Sequence, residues 1–252
     1  MARSVKIFVA LCFVLTLLVP SKSFADDDFG LIYTVGADKK LNKKWTVGTE
    51  IEFRTRNDAR TADRWSGAIS GSYKINSWLK AQASYIFLYT NNRENLTYNT
   101  DGSFNNWRPS YWSPRHRFTF QLTGSKKIGR FDLSLRERWQ YTYRPEKVTE
   151  RYDFDNDWWE DQAVHGKGKN VLRSRFQVEY NIPKKKVSPF ANVEFFTTRE
   201  LEKVRFHVGA DYTLKKKHDF KLYYRYQVMN DKLADPNETN IHMIGLGYTF
   251  KF

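Results

Sequence analysis

Apolar and polar residues alternate along most of this chain with a period of two. That is the period of a β-strand, because successive strand side chains point to opposite faces. Trp45, Val47, Ile51 and Phe53 share one face of their segment, and Thr46, Gly48, Glu50, Glu52, Arg54 and Arg56 share the other. Phe206, Val208, Ala210, Tyr212 and Leu214 stand against Arg205, His207, Asp211 and Thr213. Phe220, Leu222, Tyr224, Tyr226 and Val228 stand against Lys221, Tyr223, Arg225 and Gln227. Similar alternation marks residues 29–38, 64–75, 79–90, 115–124, 130–143, 172–182, 189–198 and 241–252, so an all-β chain of eleven candidate strands is expected.

Alternation alone does not say which face is dry. A soluble barrel hides its apolar face, whereas an outer-membrane barrel turns it toward lipid. The connections point to the second. Tight turns at residues 39–43, 76–78, 125–129, 183–188 and 215–218 are expected to alternate strictly with polar loops, including residues 91–114 and 144–171. Short turns on the periplasmic side and long loops on the outer side are the layout of bacterial barrels. Aromatic residues fall into two groups that would form two interfacial girdles. Trp45, Tyr73, Phe131, Tyr180, Phe250 and Phe252 lie toward the turns, and Trp65, Tyr89, Phe118, Tyr141 and Tyr143 toward the loops. The chain also ends on an alternating strand, His242, Ile244, Leu246, Tyr248, Phe250 and Phe252. Tyr248, Phe250 and Phe252 are read as an assembly signal, with the barrel assembly machinery as the implied partner.

The amino terminus fits this compartment. Arg3 and Lys6 precede an apolar run from Ile7 to Val19, and Ser23-Phe24-Ala25 ends on a small residue, the pattern of a signal peptide cleaved after residue 25. The run is too short for a spanning helix, which needs about 20 residues. Cleavage would remove the only cysteine, Cys12, and with it any disulfide. It would also remove Arg3, Lys6 and Lys22, leaving 39 of the 42 basic residues against 28 acidic ones. So basic a chain raises nucleic acid as a partner, but a secreted protein meets anionic lipid instead. The mean hydropathy of −0.69 suggests a soluble protein, and the 17% aromatic content argues against disorder.

The expected architecture is therefore a single transmembrane antiparallel up-and-down β-barrel of 10 to 12 strands over residues 26–252, after a signal peptide at 1–25. Eleven strands do not match the even number of bacterial single-chain barrels. Either residues 29–38 are not a stave, or a long region hides a twelfth, or the first and last strands pair in parallel. Glu137 is a second irregularity, since strict alternation from Phe131 to Tyr143 turns its carboxylate toward lipid. A β-bulge near it is expected to re-aim the side chain.

Several segments, taken in order, resemble a known family. They are Lys40-Leu41-Asn42-Lys43-Lys44-Trp45 leading into Glu50, Glu52, Arg54 and Arg56; Arg115-His116-Arg117; Leu135-Arg136-Glu137-Arg138-Trp139-Gln140-Tyr141; Leu172-Arg173-Ser174-Arg175; and Pro189-Phe190-Ala191 ahead of Glu194. Together they resemble domain-of-unknown-function family 2490 (DUF2490), secreted bacterial proteins regarded as outer-membrane barrels. The resemblance implies a fold and a location, and no activity.

The polar face of the strands is unusually ionic. Arg54, Arg56, Arg117, Arg136, Arg138, Arg173, Arg175, Arg205 and Arg225 stand with Glu50, Glu52, Glu179, Glu194 and Asp211. In a narrow lumen such charges must pair or line water. A register-fixing network and a conduction path are both open, and the excess of arginine favours anions among small solutes. None of the five histidines sits in a recognisable hydrolase motif, so no catalysis is expected. Asp153, Asp155 and Asp157 imitate the start of a calcium loop, but Trp158 stands where its glycine belongs and Val164 where its carboxylate belongs. No metal or cofactor is therefore expected. Trp107, Tyr111, Trp112, Trp158 and Trp159 on the long loops either cap the barrel or stack on a surface partner. Lys184–Lys186, Lys215–Lys217, Lys39, Lys40, Lys43 and Lys44 fall on the short turns, where they would meet phospholipid headgroups or water. The leading functional reading is an outer-membrane protein, structural or passing small solutes. A surface receptor or adhesin is the rival, and an outer-membrane hydrolase the third reading.

Overall fold

A computed structural model describes residues 27–230 and 238–252; residues 1–25, expected from the sequence to be a signal peptide, lie outside the described residues. The described chain is strand and turn throughout. In chain order the strands are β1 (Asp28–Lys40), β2 (Trp45–Arg56), β3 (Thr61–Lys74), β4 (Leu79–Asn92), β5 (Asn95–Tyr98), β6 (Phe104–Arg108), β7 (Tyr111–Ile128), β8 (Phe131–Arg144), β9 (Lys147–Asp153), β10 (Trp158–Val164), β11 (Lys167–Tyr180), β12 (Val187–Thr197), β13 (Leu201–Leu214), β14 (His218–Met229) and β15 (Ile241–Lys251).

Eleven of these close into a barrel in the order β1-β15-β14-β13-β12-β11-β8-β7-β4-β3-β2. The large apolar side chains stand on its outer wall: Ile69 is 60% exposed, and Ile51, Phe118, Leu135, Trp139, Phe176 and Leu246 are also exposed. A wall of this composition is stable only against an apolar medium. Polar and charged side chains of the same strands turn inward. Trp45 and Tyr73 (ring centroids 4.9 Å apart), Phe131 and Tyr180 (5.1 Å) and Phe250 and Phe252 (4.6 Å) ring the turn end. Phe53 and Trp65 (4.2 Å) and Tyr89 and Trp112 (5.1 Å) ring the loop end. Two of the turns are fixed by the same device. Asn42 Oδ1 accepts from the Lys44 and Trp45 amides at 2.8 Å, and Asn76 Oδ1 from those of Trp78 and Leu79 at 3.0 and 2.8 Å.

The odd strand count resolves as parallel pairing of the first and last strands. β1 runs alongside β15 from Asp28↔Ile241 to Asp38↔Lys251, so the barrel is mixed, and antiparallel at every other seam. β1 therefore begins at the loop end, whereas β15 finishes at the turn end, where the Phe252 amide donates to Asp38 O at 2.9 Å. Inside, Ile32, Ile241 and Met243 are buried together with Tyr223 against them. Gly245 makes this possible, since a Cβ there would fall within the Tyr223 ring. At the loop end Tyr226 Oη donates to Asp27 Oδ2 at 2.8 Å, His242 Nε2 lies 3.3 Å from the same oxygen, and Arg93 Nη2 donates to Asp28 Oδ2 at 2.8 Å.

Two further expectations need correction. β8 keeps an unbroken register with both β7 and β11, so no bulge re-aims Glu137. Its carboxylate stays on the outer wall, opposite Ser174, whose hydroxyl donates to Oε2 at 2.6 Å. Nor do the connections alternate strictly between short and long, because β2–β3 and β12–β13, at the loop end, are closed by four and three residues. The two long loops hold strands instead of irregular chain. β5, β6, β9 and β10 form a second sheet in the order β10-β9-β6-β5. This order repeats that of staves β4, β7, β8 and β11 below, each loop strand being the extension of one stave. Pro109 and Pro145 lie in two of the breaks, and a residue without an amide hydrogen interrupts a ladder.

Candidate functional site

The loop-end half of the lumen is a cavity of ≈ 1360 Å³. Its lining holds fourteen basic side chains against five acidic ones, an excess of nine positive charges. Three of the acidic groups are held in ion pairs. Glu52 accepts from Arg54 Nε and Nη2 at 2.7 and 2.9 Å and from Arg64 Nη2 at 2.9 Å. Lys203 pairs with Glu238, and Lys169 with Glu202. Burial alone would raise the Glu238 carboxyl, but Lys203 and Arg205 outweigh it and hold the group below the usual carboxylate range.

Arg117, Arg138 and Arg205 line the cavity without an ion pair among the described residues, and they hang from neutral partners. Arg117 Nε donates to Thr142 Oγ1 at 3.0 Å and Arg138 Nε to Gln121 Oε1 at 2.7 Å. Arg205 Nε donates to Gln227 Oε1 at 2.7 Å, with its guanidinium 4.4 Å from the Phe196 ring centroid. The buried Nε atoms of Arg64 and Arg173 have no hydrogen-bond partner among the described residues. Each guanidinium carries a planar fork of donors suited to carboxylate, phosphate or sulfate oxygens. Low-dielectric walls with one prevailing sign of charge concentrate the field along the cavity axis.

The cavity floor, to which Gln140, Arg173 and Phe196 of its lining belong, is a layer of buried polar and ring side chains. Glu194, 3% exposed, receives both Arg136 and Arg173, the latter at 3.0 Å, and Arg173 Nη1 also donates to Gln140 Oε1 at 3.1 Å. Arg225 lies against Met243, and Gln121, Gln140, Phe190 and Phe196 are buried around this layer. Further down Lys221 pairs with Asp211 at 3.2 Å, and Lys251 with Asp219. Asp38, Lys80, Glu179 and Asp211, toward the turn end, do not line the cavity.

The fourteen charged positions expected in the lumen thus divide into tiers. Glu50, Glu52, Arg54, Arg117, Arg138, Arg173 and Arg205 line the cavity. Arg136, Arg175, Glu179, Glu194, Asp211 and Arg225 lie on inward positions outside its lining. Arg56 is separate, because the register shifts between Arg54 and Thr55; it is buried at the rim, donating to Asn91 O at 3.0 Å. Sequence periodicity missed Arg64 and Arg115, although both continue the inward parity of their strands. It had no means of finding Arg93, Arg108, Lys167, Arg199, Glu202 or Glu238, which reach the cavity from strand ends and loops.

The five loop aromatics are not brought to one place. Tyr111 lines the cavity, and Trp112 stacks on Tyr89 on the outer wall. Trp107 and Trp159 meet on the loop sheet with ring centroids 5.7 Å apart, while Trp158, 58% exposed, is in none of these contacts. Asp153 serves its own turn, Oδ1 accepting from the Asp155 and Asn156 amides at 2.9 and 3.1 Å. The histidines are engaged by tyrosines or carboxylates: His116 with Tyr85 (2.8 Å), His218 with Tyr248 (2.9 Å), His242 with Tyr224 and Asp27, and His165 with Glu146 (3.2 Å). His207 faces the lumen beside Tyr223. Tyr248 and Phe250 stand on the outer wall against His218, and Phe252 is exposed at the turn end.

No curated protein matches this chain. Among solved structures, the β domain of the Bordetella autotransporter BrkA is similar, with a TM-score of 0.50 and 12% identity over 81% of this chain and 79% of that one. At that identity the likeness is one of fold, and it makes this an outer-membrane-type β-barrel. A family model described as a protein of unknown function (DUF2490) matches residues 29–238, which takes in the cavity-lining staves and both long loops. The chain belongs to the DUF2490 family.

Proposed function

We propose that this chain is a non-catalytic barrel of the bacterial outer membrane that admits small anionic solutes into its lumen from the loop end. The observation that carries the reading is the cavity of ≈ 1360 Å³ with nine more basic than acidic side chains, among them Arg117, Arg138 and Arg205, which are held by neutral partners. The apolar outer wall, its aromatic rings and the strand ending in Phe252 support the location. Arg136, Arg173 and Glu194 form a floor beneath the cavity, which favours a held solute over a wide continuous pore.

Two measurements test this. Fractionated cells should carry the protein with outer membranes, and a soluble periplasmic species would overturn the location. Purified protein should bind inorganic polyphosphate or a polycarboxylate, and any current across planar bilayers under a salt gradient should prefer anions. Cation preference, or indifference of binding to Arg117→Glu with Arg138→Glu, would overturn the solute class.

A further inference from the structure

The loop sheet has two unlike faces. Asn95, Arg108 and Val164 on one of them line the cavity. The other face turns away and carries a continuous run of rings. Tyr98 meets Phe104 (5.5 Å between centroids), Phe104 meets Phe154 (5.3 Å), and Phe154 meets Tyr152 (4.9 Å). Tyr152 then meets Trp159 (5.3 Å), and Trp159 meets Trp107 (5.7 Å). Tyr98, Phe104, Trp159 and, beside them, Val148 are exposed. Large contiguous apolar surfaces of this kind mark interaction sites, and Trp and Tyr are the residues that most often dominate binding energy.

Charge identifies the occupant. Residues 94–107 and 148–166 hold eight carboxylates and one basic residue, Arg151, whose guanidinium pairs with Glu160 on the cavity-side face. Glu150 and Asp161 stand directly opposite each other in the β9–β10 ladder, on the same face as Tyr152 and Trp159. Like charges in that position weaken a sheet. Glu94 accepts from Trp107 Nε1 at 3.2 Å, and Asp157 accepts from Tyr152 Oη, which raises the phenol's pKa. Carboxylates beside aromatic faces make the environment that lysine and arginine side chains fill, through ion pairing and cation–π contact together. Most of the chain's lysine and arginine lies elsewhere, much of it in the lumen and on the turns at the opposite mouth.

We infer that the outward face of the loop sheet docks a lysine- and arginine-rich polypeptide, along the run from Tyr98 to Trp107. A neutral carbohydrate would use the rings and be indifferent to Glu150 and Asp161.

The test uses purified full-length barrel in detergent, a labelled peptide of alternating lysine and glycine, and a neutral glucan oligosaccharide, at physiological salt. The wild type should bind the peptide and not the glucan. Trp107→Ala with Trp159→Ala, and separately Glu150→Gln with Asp161→Asn, should each weaken peptide binding about tenfold or more. Two controls should be unchanged in both: polyphosphate binding, which reports the cavity, and the difference in gel migration between boiled and unboiled samples, expected because a closed ladder of backbone hydrogen bonds resists detergent. If the aromatic double variant binds peptide as well as wild type does, the rings are not the site and the inference fails. Glucan binding that survives Glu150→Gln with Asp161→Asn would assign the face to carbohydrate instead. Absence of peptide binding by the wild type would also overturn it.

Discussion

The lumen cavity and the loop sheet share the loop end of the barrel, yet they carry charge of opposite sign in different settings. In the cavity the guanidinium groups are enclosed by the wall, spaced by strand register, and held by Gln, Thr or Glu neighbours. On the loop sheet the carboxylates stand among exposed rings, where solvent and salt reach them. Enclosure turns a charge excess into a directed field, while exposure leaves it to act over about one Debye length, roughly 8 Å at physiological salt. The whole-chain charge of +14 averages these two regions and describes neither.

Breaking one ion pair in each region gives the largest expected contrast. Glu194→Ala strands Arg136 and Arg173 in the packed floor and should cost about 3–5 kcal/mol. Glu160→Ala removes the partner of Arg151 on the half-exposed loop sheet and should cost about 0–1 kcal/mol. Thermal unfolding followed by the gel shift of unboiled samples compares them, and equal losses would mean that the floor is solvated. Reversing two cavity charges, Arg117→Glu with Arg138→Glu, should weaken polyphosphate binding about tenfold or more, at least ~1.4 kcal/mol. The same change should leave the lysine peptide unaffected.

Salt should separate the regions further. Between about 0.1 and 1 M the Debye length falls from roughly 10 to 3 Å, so peptide binding to the exposed sheet should weaken more than anion binding in the enclosed cavity. Calorimetric titrations at both salt concentrations would show it. Glu238→Gln should have the smallest effect. It releases Lys203 into the cavity and should raise polyphosphate affinity about twofold to threefold. Because the folded Glu238 carboxyl titrates below its unfolded value of about 4.3, its pairing contributes stability above that pH. This contribution drains away as the pH falls toward the folded value. Unfolding of Glu238→Gln should accordingly be less pH-dependent below about pH 4.

How much of this was legible in the sequence follows from which interactions are local. Period-two patterning in segments such as Phe220–Val228 placed apolar residues on the outer wall and Arg205, Arg225 and Glu52 inside, because strand geometry alone sets that alternation. Pairing is not local. The parallel seam of β1 with β15, the bulge that sets Arg56 apart from Arg54, and the joining of β6 to β9 depend on residues far apart in the chain. Glu137 shows the opposite failure, since alternation gave the correct face and the expected bulge is absent; its cross-strand neighbour Ser174 supplies the hydrogen bond. The cavity was half legible for a similar reason. Its floor arginines lie in regular strands, whereas Arg93, Arg108, Arg199 and Glu238 enter from rims and loops that carry no periodicity.

The parallel seam gives the molecule a direction. In a barrel with an even number of staves both chain ends emerge from one mouth, so anything fused to either end is presented in the same compartment. Here Asp28 starts at one mouth and Lys251 finishes at the other, at the two ends of a seam of eleven register pairs. A cargo joined ahead of residue 27 and another joined after residue 252 would be displayed on opposite sides of whatever layer the barrel crosses. An even-stave barrel would display both on the same side.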